Sequence, residues 1–419
     1  MEILSTGEKI KRARIYKGIT LKELCNDKIS ISKMSCIENG KVKAEEWILE
    51  EVSKKLSLDF EYLKQDVKEQ IDTNIARIKK ENDSNRREKE ILYSLDYAVE
   101  YGLFDRAFDL MHLLFSVYLY QENYDAIQLN ISQYHNFLQK SWSEENQLIY
   151  NYDTAKYFYA TKEFSESLVY YQKILETLQS SQSASKEFVS EILYNLADVY
   201  YKLQDHDGAL KIINKDENFI ENLSSKKLRG MAYSLSAILM LKKDRNLFKS
   251  LESKALKTFE EDLAGKASFY LSVGRILLDE SAIEEGKAYI KNGLKAIVEG
   301  SDERAAEYIL DPLKKLLELK DYSYGEELCE VLLEKAIKAD DIKLIEKAYF
   351  YKSLISKAQG NFSQAEMYMN LSLDALLKFA GNHERYERYL AMGNMYYEMG
   401  EHNDSIKYFS LALGEEKKL

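Results

Sequence analysis

One proline in 419 residues, at position 312, constrains this chain more than any other feature of its sequence. Proline marks loops and strand edges, because its ring fixes φ and removes a backbone donor. A long chain that nearly dispenses with it, and carries only 17 glycines, is expected to be helices joined by short polar turns. The expected fold class is all-α. Pro312 follows Asp311 inside an expected helix, so a kink or a late helix start is expected there.

From about residue 88 the sequence repeats itself. The clearest copy is the last, with Tyr389, Gly393, Tyr396, Gly400, Ser405, Phe409 and Ala412. This is the tetratricopeptide (TPR) order of bulky, small, aromatic, turn glycine, small, aromatic, small. The small residues let two antiparallel helices approach closely, and the aromatics fill the wedge between neighbouring pairs. Weaker copies keep step through Ala107, Ser167, Ala209, Gly286, Gly325 and Ala365. From residue 155 the period is about 40 residues rather than 34, so longer helices or longer turns are expected. Between 105 and 140 the register is ambiguous, and one helix is left without a mate. Such repeats bury their faces only by stacking, which implies a right-handed superhelical solenoid with a concave inner surface. Most of the 32 tyrosines are expected to be wedge and core residues.

The first 66 residues read differently. Thr20 to Cys25 makes a short helix with Thr20 as N-cap and Glu23 completing a capping box. Ser30 caps a second short helix through Ile37, and Glu38-Asn39-Gly40 stops it. Two short helices across a tight turn form a helix-turn-helix, whose second helix suits the DNA major groove. A preceding helix over residues 5–17 places Ile10, Ala13 and Ile15 at helical spacing, with Lys9, Arg12 and Arg14 facing solvent. A following helix over residues 45–56 gathers Trp47, Ile48, Val52 and Leu56 on one face. With Leu21, Leu24 and Ile37 these complete a small core. Residues 66–90 are strongly charged with Val67, Ile71, Ile75 and Ile78 at helical spacing, a linker helix to about Lys80 that packs on its own body or on a second copy. A polar break at residues 82–85 follows.

Charge divides along the same line. Residues 1–66 carry 13 Lys and Arg against 12 Asp and Glu, within a chain of net charge −11, so the acidity belongs to the body. A near-neutral head on an acidic body can approach phosphates while the body stays away. Three scattered cysteines point to a reducing, cytoplasmic setting, and no apolar leader or membrane-spanning run is present in the sequence. The five histidines form no metal-binding spacing, and neither a phosphate-binding glycine loop nor a nucleophile elbow occurs. No enzyme activity, metal or cofactor is expected.

The head resembles the Cro/C1-type (xenobiotic-response-element, XRE) helix-turn-helix family through Gly7-Glu8-Lys9-Ile10-Lys11, Arg14, Lys17-Gly18-Ile19-Thr20, Glu23-Leu24, Ser35 and Ile37-Glu38-Asn39-Gly40-Lys41. Cys36 departs from it, standing where that family usually has a basic residue. The resemblance implies a DNA-facing set of Ser30, Ser32, Lys33, Ser35 and Asn39, with Lys41, Lys43 and Arg12 toward phosphates. Lys33 is the base-edge candidate, since its ammonium suits the acceptors of guanine.

Head, linker and repeats together resemble the RRNPP family of peptide-pheromone receptors and transcription regulators. That resemblance implies residues 1–66 as DNA-binding domain, 67–87 as helical linker and 88–419 as peptide-binding and dimerisation domain. It implies a cytoplasmic homodimer on a palindromic operator in double-stranded DNA, switched by a short signalling peptide in the concave groove, of quorum-sensing or phage arbitrium type. Inner-helix positions give Tyr152, Lys156, Tyr194, Asn195, Asp198, Arg229, Arg275, Lys314 and Asn394 as peptide-binding candidates. An alternative within the family binds a response regulator and blocks or dephosphorylates it, with Gln121 or Gln128 near the working surface. A constitutive repressor of the same build is a further alternative.

Overall fold

In the computed structural model, residues 3–25, 28–180, 185–216 and 218–418 are described. Among them the chain is all-α, without strands. No helix of these residues is long and apolar enough to cross a membrane. The chain divides into two compact units, residues 1–185 with 192–212 and residues 186–191 with 213–419.

The N-terminal unit starts with α1 (Thr6–Tyr16), α2 (Leu21–Cys25), α3 (Ile31–Glu38), α4 (Glu46–Leu56) and α5 (Phe60–Lys64). These five pack around Ile10, Leu24, Met34, Ile37, Ile48, Val52, Leu56 and Leu63. Four expectations fail here, the first being Arg14, whose side chain is 14% exposed because its guanidinium turns in to Glu38 rather than out to solvent. Lys9 is 2% exposed rather than solvent-facing, because the end of α5 presents it with two carbonyls: its Nζ donates to Tyr62 O at 2.6 Å and Gln65 O at 2.7 Å. Trp47 lies outside the core at 43% exposure, where its indole N–H donates to the Glu45 carboxylate at 2.6 Å. Ile15 is 60% exposed, since it lies on the side of α1 away from Ile10 and Ala13, which pack on the core.

Next come α6 (Val67–Ile78), α7 (Ser84–Glu100), α8 (Phe104–Tyr120), α9 (Tyr124–Lys140), α10 (Glu144–Ala160) and α11 (Phe164–Ser180). An Asp66–Glu69 capping box starts α6, and Asp83 caps α7. The apolar face of α6 packs on its own body: Val67, Ile71, Ile75 and Ile78 join Ile91, Leu95 and the interior of α8 in one core. Ile3 from the head enters the same core. The amide of Gln70 clasps the adjacent Leu4 from both sides, accepting from its N–H at 3.2 Å and donating to its carbonyl at 2.8 Å. The ambiguous stretch resolves as α8 packed against both α7 and α9, which makes α9 the unmated helix.

The remaining elements are α12 (Lys186–Lys202), α13 (His206–Ile213), α14 (Phe219–Asn222), α15 (Lys226–Met240), α16 (Arg245–Thr258), α17 (Leu263–Asp279) and α18 (Ile283–Glu299). After them a 3-10 turn, Glu303–Ile309, runs directly into α19 (Leu310–Glu318). Then follow α20 (Tyr322–Lys338), α21 (Ile342–Ala358), α22 (Phe362–Leu376), α23 (Asn382–Glu398) and α24 (His402–Glu416). The TPR-like pairs are antiparallel hairpins, notably α17 with α18, α21 with α22 and α23 with α24. Pro312 sits in the first turn of α19, the late start expected of it, where its missing N–H leaves no broken bond. The period lengthens through 17-residue helices and through α14 and the 3-10 turn. Small residues close the hairpins as the pattern requires. Ser167 Oγ donates to Ala155 O and Ser405 Oγ to Gly393 O, both at 2.9 Å. A Cβ on Gly393 would lie 2.6 Å from the Phe409 ring.

Candidate nucleic-acid and ligand sites

The pair of short helices α2 and α3 is held by its inner side. Thr20 and Glu23 cap α2 reciprocally, and Ser30 Oγ accepts from the Lys33 N–H at 3.2 Å to start α3. Gly40, at φ +68°, takes the left-handed position that ends α3. A Cβ on Gly7 would stand 2.3 Å from Ile37 O, so glycine alone lets α1 lie against the end of α3. The Arg14 guanidinium grips buried Glu38 with two bonds of 2.6 and 2.8 Å and donates to Ile19 O at 3.1 Å. Charge-assisted, two-pronged and shielded, this pair fixes α3 against α1 and the turn before α2.

What α3 turns outward is mostly the expected set. Ser30, Ser32, Asn39, Lys41 and Lys43 are exposed, and Lys33 and Ser35 are half-buried. Lys33 is not idle: its ammonium meets Glu45 at 2.8 Å and stands 5.8 Å from the Trp47 ring centre. Asn39 donates back to Ser35 O at 2.8 Å. Arg12 is exposed on α1; against burial, hydrogen bonds from Ser5 and Tyr101 hold the Glu8 carboxyl low, and the Arg12 charge adds to them.

Five ligand candidates lie in the N-terminal unit. Tyr152 and Lys156 sit one turn apart on α10, the ammonium 4.2 Å from the ring centre, and Tyr152 packs edge-on against Tyr171. On α12, Tyr194 is buried, and burial pushes its phenol up. Asp198 is drawn inward, accepting from the Tyr159 hydroxyl at 2.5 Å, and burial lifts its carboxyl above the usual range. Asn195 is half-buried between them, with an amide that makes no side-chain hydrogen bond among the described residues. The C-terminal unit holds the other four. Arg275 pairs with Asp279 at 2.7 Å along α17. Arg229 has a buried Nε without a partner. Lys314 and Asn394 are exposed on α19 and α23.

No protein-family model matches the sequence, and no curated protein matches it. Solved structures do resemble it. PlcR of Bacillus thuringiensis, in complex with the peptide PapR7 and DNA, is 18% identical, with 61% of this chain and 94% of that chain covered and a TM-score of 0.33. The apo quorum sensor NprR from B. thuringiensis is 16% identical over 84% of this chain and all of its own, with a TM-score of 0.41. A Rap protein complexed with competence and sporulation factor is 14% identical over 84% of this chain and 98% of its own, with a TM-score of 0.45. These three are of the family that the sequence resembles, and the likeness lies in helical architecture.

One constellation escaped the sequence. On α8, His112 Nδ1 lies 2.7 Å from Asp153 Oδ2 of α10, and the same oxygen accepts from the Tyr134 hydroxyl of α9 at 2.8 Å. Burial alone would lower the imidazole, but the bond to Asp153 and its charge outweigh that and raise it. No spacing announces this trio, because its members come from three helices and meet only after packing.

Proposed function

We propose that this chain is a DNA-binding transcription regulator of the peptide-responsive kind, working as a cytoplasmic homodimer on a palindromic operator. In this reading residues 1–66 bind DNA, 67–87 connect, and 88–419 take the peptide and form the dimer. The observation that carries it is the asymmetry of α3. Its inner side is locked by Gly7, Arg14 and Glu38, while Ser30, Ser32, Asn39, Lys41 and Lys43 are exposed and Lys33 is half-exposed. A rigid short helix that offers small polar and cationic side chains is suited to base edges and flanking phosphates. The free amides of Asn195 and Asn394 support the peptide part, since an amide can donate to and accept from a peptide backbone at once.

The test has two arms. Full-length protein is titrated against DNA fragments from around its own gene, with Lys33→Ala and Lys43→Ala beside it. A peptide encoded by a small neighbouring reading frame is then synthesised and titrated by calorimetry. Loss of sequence preference in Lys33→Ala, and peptide binding weakened in Asn195→Ala, are the expected results. Equal affinity of every DNA fragment for wild type and both variants would overturn the DNA reading. Failure of the peptide to bind or to alter DNA affinity would overturn the switch.

A further inference from the structure

Asp153 is only 4% exposed, and an ionised carboxylate persists in such a place only when it is paired and hydrogen-bonded. Its Oδ2 has two neighbours: the hydroxyl of Tyr134, a fully buried residue, and Nδ1 of His112. A carboxylate on one imidazole nitrogen fixes the tautomer and the ring plane, and so aims the other nitrogen. His112 has no other hydrogen bond among the described residues, and its side chain is 39% exposed. Its Nε2–H is therefore an oriented donor presented at the surface with nothing to receive it.

Lys156 stands one turn along α10 from Asp153, exposed, and near enough to His112 for its charge to oppose the imidazolium. Asp109, one turn before His112 on α8, supports the imidazolium and is itself faced by Arg106 and Lys79. The Lys156 ammonium rests 4.2 Å from the Tyr152 ring centre, one turn from the carboxylate that holds His112, and an anion between the two cations would relieve their repulsion. A carboxylate matches that pair with two charge-assisted bonds. A phosphate dianion would feel the Asp109 charge about twice as strongly.

We propose that His112 Nε2 and Lys156 Nζ form a carboxylate-binding subsite on α8 and α10, with Asp153 and Tyr134 as its positioning residues. That the carboxylate is a peptide's rests on the function proposed above; its source is either the C-terminus or an acidic side chain. Binding should weaken as pH rises through the imidazole titration, because the donor loses its charge while Lys156 keeps its own.

The test follows the histidine ring nitrogens of the full-length protein by NMR. Three probes are titrated: trialanine, its C-terminal amide, and acetyl-Ala-Glu-Ala-amide. A saturable shift of His112 Nε2 with trialanine but not its amide identifies a C-terminal carboxylate; a shift with the glutamyl probe alone identifies an acidic side chain. Lys156→Gln should weaken either by about tenfold, roughly the worth of one charge-assisted bond. Asp153→Asn should lower the His112 titration midpoint, which a packing role alone would not produce. No His112 response to any probe, in protein that melts normally, overturns the subsite. If the encoded peptide binds equally to wild type and His112→Gln, the subsite falls and the receptor reading stands. If trialanine shifts His112 but no encoded peptide binds, the subsite stands and the peptide source falls.

Discussion

Glu346 has no exposed surface, and the last repeats meet its charge at Oε1, while Oε2 is left without a hydrogen-bond partner. Arg388 Nη2 lies 2.6 Å from its Oε1, Ser372 donates to the same oxygen at 2.9 Å, and the guanidinium stacks 3.8 Å from the Phe350 ring centre. Removing one partner of such a pair strands the other, which costs about 3–5 kcal/mol, whereas replacing both by apolar residues recovers most of it. Arg388→Met should therefore lower stability by about that amount, and the Glu346→Leu/Arg388→Met double variant should recover most of it, as urea unfolding will read. His112 gives a pH prediction of known sign. Its folded-state proton affinity is raised, so the pair's contribution is complete below the unfolded imidazole value and is lost as pH rises through the folded one. His112→Gln should flatten that part of the stability–pH curve. Neither site was legible in the sequence. Glu346 and Arg388 each read as one more charge on a helix, and only packing put them together.

At the scale of elements, the hairpin turns explain why the repeat was faint. Most of these turns place one residue in the left-handed region, and Gly102, Gly360 and Gly400 supply it in three of them. Glu122, Lys162, Gln204, Ser281, Lys320 and Asp340 occupy the same position in others. A side chain there is strained by about 1–2 kcal/mol against glycine, part of which glycine forfeits in chain entropy. Lys320→Gly should accordingly stabilise the C-terminal unit by up to about 1 kcal/mol in urea unfolding. The hairpins were legible because the small residues facing each other cannot be varied as the turn residues can. The clasp of Gln70 on Leu4 was not, since an amide on a charged helix looks like solvent-facing cover. Gln70→Ala leaves the Leu4 N–H without its partner, so hydrogen exchange there should quicken many-fold while exchange at Met34 and Ile37 holds.

For the whole molecule the governing quantity is charge. A head with 13 cationic against 12 anionic side chains, on a chain of net −11, should bind DNA through a few local contacts rather than general attraction. Each of Lys41→Ala and Lys43→Ala should lower the slope of log affinity against log salt by roughly one, equally on every sequence. Lys33→Ala should instead cost about 1–3 kcal/mol on the preferred site and little elsewhere, as anisotropy titrations will show. The sequence by itself determined the all-α class, the two short helices α2 and α3 with their caps, and the hairpin repeat. Those rest on local rules: proline scarcity, capping boxes, and small residues recurring at fixed intervals. Only the tertiary structure decided that Lys9 goes inside and Trp47 outside, that α6 packs on its own body, and that His112, Asp153 and Tyr134 meet. These depend on which carbonyl, carboxylate or apolar face a distant element presents, and no local spacing encodes that.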